Sequence, residues 1–119
     1  MDRSDLKKYR GLRKEIQQLE SRLWISRSSP EGSDKLRRHY ERQLEKLKRQ
    51  TVSIEQSIAA LDNPVERMIL RDRYIGGHDW AYICCALASE GYSERQVYRI
   101  HGFALRNLKE VDPIVPQTD

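Results

Sequence analysis

The sequence predicts an all-α protein. An N-terminal antiparallel coiled-coil hairpin is expected over residues 1–61, a three-helix helix-turn-helix domain over 62–110, and a flexible tail over 111–119. Three observations carry that prediction. Apolar residues recur at alternating spacings of three and four through two long stretches, the heptad pattern of packed helices. The four prolines and most of the six glycines fall outside the periodic stretches. Charged residues make up 34% of the chain and hydrophobic ones 38%, against a typical charged share of roughly 25%. That balance suits long helices with much surface better than a thick core.

The first helix is expected over residues 1–27, with Tyr9, Leu12, Ile16, Leu19 and Leu23 as its stripe. Arg10, Arg13, Lys14, Gln17, Gln18 and Arg22 fill its other faces. The pattern breaks at S-R-S-S-P-E-G-S-D, where Pro30 and Gly32 stop a helix and Ser33 or Asp34 can start another. The second helix then runs from about Asp34 to Leu61, with Tyr40, Leu44, Leu47, Thr51, Ile54, Ile58 and Leu61 in line. Two such stripes joined by a short turn can fold back and cover each other, or can pair between subunits as a homodimer. A coiled coil of this size offers no concave site, so an arm, spacer or association element is expected.

Asp62-Asn63-Pro64 opens a different texture. Asn63 can cap a helix whose first position is Pro64, where the missing N–H costs little. Val65, Met68 and Ile69, with Tyr74 and Ile75, are expected to face inward, and Gly76-Gly77 ends the element. Asp79 caps a short helix whose apolar stripe is Trp80, Ile83, Cys84 and Leu87. S-E-G-Y follows as a turn, with Gly91 able to take a left-handed conformation. Ser93 then opens the last helix, S-E-R-Q-V-Y-R-I-H-G-F-A-L-R-N-L over 93–108. Ser93 and Gln96 have the spacing of a capping box. Val97, Ile100, Ala104 and Leu108 follow at 3, 4 and 4, so they share one side. The expected small core is Trp80, Ile83, Leu87, Val97, Ile100 and Leu108.

Several function classes are disfavoured at once. No apolar run approaches the roughly 20 residues that span a bilayer, and M-D-R-S-D-L-K-K is too charged for a signal peptide. A cytoplasmic protein with no membrane partner is therefore expected. Cys84 and Cys85 are adjacent, which suits packing better than a disulfide or a zinc site. His39, His78 and His101 lack a metal-ligand spacing. No nucleophile triad, phosphate loop or paired acid and base is evident, so neither an enzyme nor a cofactor is expected. The net charge of +4 is uneven. Residues 1–61 carry 15 Lys and Arg against 9 Asp and Glu, whereas 62–110 carry 7 of each.

A short helix, a glycine-containing turn and a second helix with polar residues at its front form a helix-turn-helix unit. Arg and Gln at such a front are the side chains that reach base edges in the major groove of double-stranded DNA. Arg95 and Arg99 are the candidates for guanine, Gln96 for adenine and Glu94 for a cytosine amine. Ser93 and Tyr98 are candidates for phosphate, Arg106 adds charge further along, and Arg73 and His78 are weaker backbone candidates. An ordinary amphipathic helix with a solvated outer face shows the same spacing.

Residues 64–110 resemble the promoter-binding fourth region of bacterial sigma factors. That family reads approximately E-R-x-V-L-x-x-R-Y, a glycine, Y-E-E-I-A-x-x-L, a turn, and S/T-R-E-R-V-R-Q-I-E-x-K-A-L-R-K-L. The corresponding stretches here are E-R-M-I-L-R-D-R-Y, W-A-Y-I-C-C-A-L and the helix from Ser93. Ser93, Val97, Ile100, Ala104, Leu105, Arg106 and Leu108 match, and most of these are framework positions. The groove-facing residues Glu94, Arg95, Gln96, Tyr98 and Arg99 differ, which implies a different DNA target. Nothing resembles the other sigma regions. A basic coiled coil followed by Y-I-G-G-x-D-W-x-x-I and S-E-R-Q-V-Y-R-I-H is similar to the short late-gene regulators of phages and prophages, the RinA and ArpU kind. This resemblance implies a transcription regulator on the bacterial nucleoid, with host RNA polymerase as a further partner. Two other classes fit the same elements: a DNA-packaging protein like a terminase small subunit, and a sigma-like module that binds only protein.

Overall fold

The computed structural model describes residues 1–28 and 34–110. The expected helix stop at Pro30 and Gly32, the start at Ser33 and the expected tail lie outside the described residues. Those residues form five helices and no strand. They are α1 (Arg3–Ser28), α2 (Asp34–Ala59), α3 (Pro64–Leu70), α4 (Trp80–Ala88) and α5 (Glu94–Glu110), with a single π-helical turn, Arg71–Ile75, extending α3. No described helix is long and apolar enough to cross a membrane.

Helices α1 and α2 lie side by side and run in opposite directions. Arg27 meets Glu41 at 3.2 Å, Glu20 meets Lys48 at 3.8 Å, and the Tyr9 hydroxyl donates to Glu55. Ascending positions on one helix thus face descending positions on the other. Burial follows the expected stripes in part: Tyr9, Ile16, Leu19 and Leu23 of α1 and Thr51, Ile54 and Ile58 of α2 are buried, whereas Leu12, Tyr40, Leu44 and Leu47 are half-buried. Leu6 is also fully buried, one position the heptad reading omits. The polar Thr51 is accommodated because its hydroxyl donates to the Lys48 carbonyl at 2.8 Å. Burial and the Glu55 carboxylate push the Tyr9 hydroxyl up to about 12, so it stays a proton donor.

Buried residues on both sides of the 61–62 boundary share a core. One cluster joins Leu6, Tyr9, Ile54, Ile58 and Leu61 to Leu70, Tyr74, Ala104 and Leu108. A second comprises Ile69, Ile83, Leu87 and Val97, with Val65, Met68, Trp80, Cys84 and Ile100 half-buried against it. Leu108 therefore belongs to the joint with α1 and α2, not to the small core expected of α3–α5. The reason lies in α5, which is long enough for its first half to meet α4 and its second half to meet α1.

Three helix starts have the expected chemistry. The Asn63 carboxamide accepts from the Val65 and Glu66 N–H groups, and Asp79 accepts from Tyr82 N–H at 2.9 Å. Ser93 and Gln96 form the reciprocal box: Gln96 N–H donates to Ser93 Oγ at 3.2 Å, and Ser93 N–H donates to Gln96 Oε1 at 2.8 Å. Gly91 has φ 93°, the left-handed conformation expected of it, and Gly77 has φ 70°. Instead of continuing α3, the chain widens at Arg71, whose carbonyl accepts from Gly76 N–H at 2.9 Å. A wider turn of this kind reorients the side chains that follow it. Here it directs Tyr74 into the core and Arg73 toward α4.

Candidate nucleic-acid interface

Helix α5 has two sharply different sides. Val97, His101, Ala104 and Leu108 are buried, at spacings of 4, 3 and 4. The expected Ile100 is only half-buried, and His101 takes the inward position. At about 100° per residue, Arg95, Arg99 and Arg106 fall within roughly 40° of one another, and the buried residues lie roughly opposite. All three arginines are exposed. Among the described residues none of them forms an ion pair. The Arg106 guanidinium lies 5.0 Å from the Phe103 ring centre.

The remaining candidates sit around this stripe in distinct ways. Gln96 is exposed, but its carbonyl oxygen is held by the cap. Ser93 is exposed, and its oxygen is the acceptor of the same box. Glu94 stands on the side toward α4, where its charge reinforces burial in pushing the Cys84 thiol up. Tyr98 lies beside Trp80, with ring centres 5.1 Å apart. Arg95, Arg99 and Arg106 thus form one row; Gln96 and Ser93 close the helix end, and Tyr98 flanks it.

A linked set of aromatic and basic groups supports that flank, and the sequence reading did not find it. Trp80 meets the His101 ring edge-on at 4.7 Å. Arg73 lies 5.2 Å from the Trp80 ring centre and donates to the His78 carbonyl at 3.1 Å. His78 in turn stacks on Tyr82 at 3.9 Å. Beneath them His101 Nε2 and the Tyr74 hydroxyl are 2.9 Å apart. Burial, aided by the positive charges of Arg3 and Arg73, holds His101 down at about 4. It is therefore a neutral core residue that sets the rotation of α5. The available signal was its spacing, four residues after Val97 and three before Ala104.

The acidic residues of this half are disposed unevenly. Glu66 is buried and accepts from the Asn107 carboxamide at 2.7 Å. Asp79 is tied to the start of α4. These two acids therefore have structural partners. Cys84 packs into the second core cluster, and Cys85 is exposed. Among the described residues, no three His, Cys, Asp or Glu side chains are grouped to share a metal ion. No protein-family model, curated protein or solved structure significantly matches the chain.

Proposed function

We propose that the protein is a sequence-specific DNA-binding transcription regulator that places α5 in the major groove. In this reading α4 and α5 form a helix-turn-helix, α3 is its support, and α1 with α2 is a coiled-coil hairpin. The observation that carries the reading is the outward row of Arg95, Arg99 and Arg106, set opposite the buried side of a helix anchored at both ends. The resemblance of 64–110 to sigma region 4 supports the same assignment, and the RinA and ArpU likeness favours a phage-type late-gene regulator.

The reading gives each residue a role. Arg95 and Arg99, nearest the front of α5, reach guanine O6 and N7, each worth roughly 1–3 kcal/mol of discrimination when bidentate. Arg106, two turns further on, meets phosphate. Gln96 would have to leave its capping box to read adenine, at a cost of about 1 kcal/mol. It serves the reading helix better as a cap. Tyr98 and Ser93 are placed for phosphate contacts, which fix register without carrying sequence information.

Selection of duplexes from a random pool tests this reading. The wild-type chain should enrich one motif, and Arg95→Ala and Arg99→Ala should each lose preference at a separate position while keeping the wild-type circular-dichroism spectrum. Unaltered preference in both variants would contradict the assignment of α5.

A further inference from the structure

Residues 1–61 carry a net positive charge, and part of it forms an aligned row near the start of α1. Arg3, Lys7, Arg10 and Lys14 are all exposed, and spacings of 4, 3 and 4 align them along α1. The same face continues through Gln17, Gln18 and Ser21, so no acidic residue interrupts it. Among the described residues, Arg3, Lys7, Arg10 and Lys14 form no ion pair. Ion pairing explains none of the four aligned cations, and packing explains only Arg10.

Their position does suggest a use. Arg3, Lys7 and Arg10 line a groove of about 230 Å3 whose far wall is Arg73, Tyr74 and Gly77. The Arg10 guanidinium lies so close to Gly77 that a Cβ there would clash with it. Arg10 thus lies over the turn that leads into α4. From there Arg73 and Trp80 connect to Tyr98 at the flank of α5. The basic row of α1 and the front of α5 are thereby joined through the Arg73 cluster within one fold.

We propose that the Arg3–Lys7–Arg10–Lys14 row of α1 is a second DNA contact, holding the phosphate backbone that flanks the groove occupied by α5. The row spans about 16 Å, which is the axial rise of roughly five nucleotides of one strand. A flexible row of lysines and arginines without base-reading geometry suits backbone neutralisation. This contact would supply affinity that residues 62–110, with equal numbers of acids and bases, lack. The inference rests on the DNA-binding reading of α5.

The test compares Arg3→Gln/Lys7→Gln/Lys14→Gln with Arg99→Ala, measuring binding to a selected and a random duplex across a salt series. Arg10 stays because its side chain packs over Gly77. The triple variant should lose of the order of 100-fold in affinity for both duplexes at 0.1 M salt. Its log–log salt slope should fall by roughly 2–3, and its sequence preference should not change. The charge-preserving Arg3→Lys/Lys7→Arg/Lys14→Arg variant should retain the wild-type slope, which separates charge from folding. An unchanged slope in the triple glutamine variant, with preference still lost in Arg99→Ala, overturns the α1 contact and leaves the α5 reading standing. Loss of slope with preference unchanged in both Arg95→Ala and Arg99→Ala keeps α1 as a DNA contact and overturns the α5 reading. Duplex binding untouched by the triple variant, with polyglutamate held through the same side chains, would assign the row to an acidic protein and also overturn the inference.

Discussion

The near and far halves of the α1–α2 pair have the same heptad spacing and different fates. In the near half Leu6 and Ile58 are wholly buried, with Leu61 close behind, because α5 and the π turn cover them. In the far half Leu19 and Leu23 are buried, but Leu44, Leu47 and Tyr40 are only half-covered. Trp24 is 70% exposed there and Ile25 60%. Two helices alone cannot enclose a core; a third layer is needed, and only the near half has one. Spacing determines which residues share a stripe, and tertiary neighbours determine how well the stripe is covered.

Stability measurements can break that contrast. Ile58→Ala should cost about 2–5 kcal/mol in urea unfolding. Trp24→Ala should change stability by no more than about 0.5 kcal/mol, as an exposed substitution does. A large loss at Trp24 that depends on protein concentration would mean that the far half is covered by a second copy.

A smaller effect should come from His101, which links the near half to the α5 flank. Its folded-state value of about 4 lies below the ordinary 6.5. The unfolded chain therefore binds the extra proton first as pH falls. The associated stability is complete above about pH 6.5 and is lost between there and pH 4, at up to about 1.4 kcal/mol per pH unit. His101→Phe should remove this dependence from the unfolding profile over pH 4.5–6.5. An identical profile in the variant would show that His101 is not the group responsible.

Ser93→Ala should cost less than Ile58→Ala, about 1 kcal/mol. Its consequence is local: the start of α5 frays and Gln96 is freed from the cap. Amide exchange at Gln96 should quicken while exchange at Leu108 is unchanged. Equal quickening at both would mean that α5 opens as a unit.

Much of this architecture was legible in the sequence because its signals are local. Asn63, Asp79 and Ser93 each act on N–H groups two or three residues away, and Gly91 acts on its own dihedral. Proline placement and heptad spacing are likewise short-range. Contacts between distant segments were not legible. Glu66 meets Asn107, Tyr74 meets His101, and Arg10 approaches Gly77 across separations that no pattern encodes. The same limit explains why Ile100 was expected inward. A single histidine at a polar-looking position gives no sign that a tyrosine 27 positions earlier will receive it. The candidate site divided in the same way. The arginine row could be drawn from spacing alone, whereas the cluster of Arg73, Trp80 and Tyr98 that flanks it, and the basic row of α1 beyond, depended on the fold.

The most direct test of the central claim is a backbone amide chemical-shift map of the chain titrated with its selected duplex. The account predicts salt-dependent shifts centred on Arg95, Arg99 and Arg106, with weaker ones along Arg3, Lys7 and Lys14, and little change at Trp24 or Ile25. Shifts centred on the far half of α1 and α2, or no shifts at low salt, would contradict it.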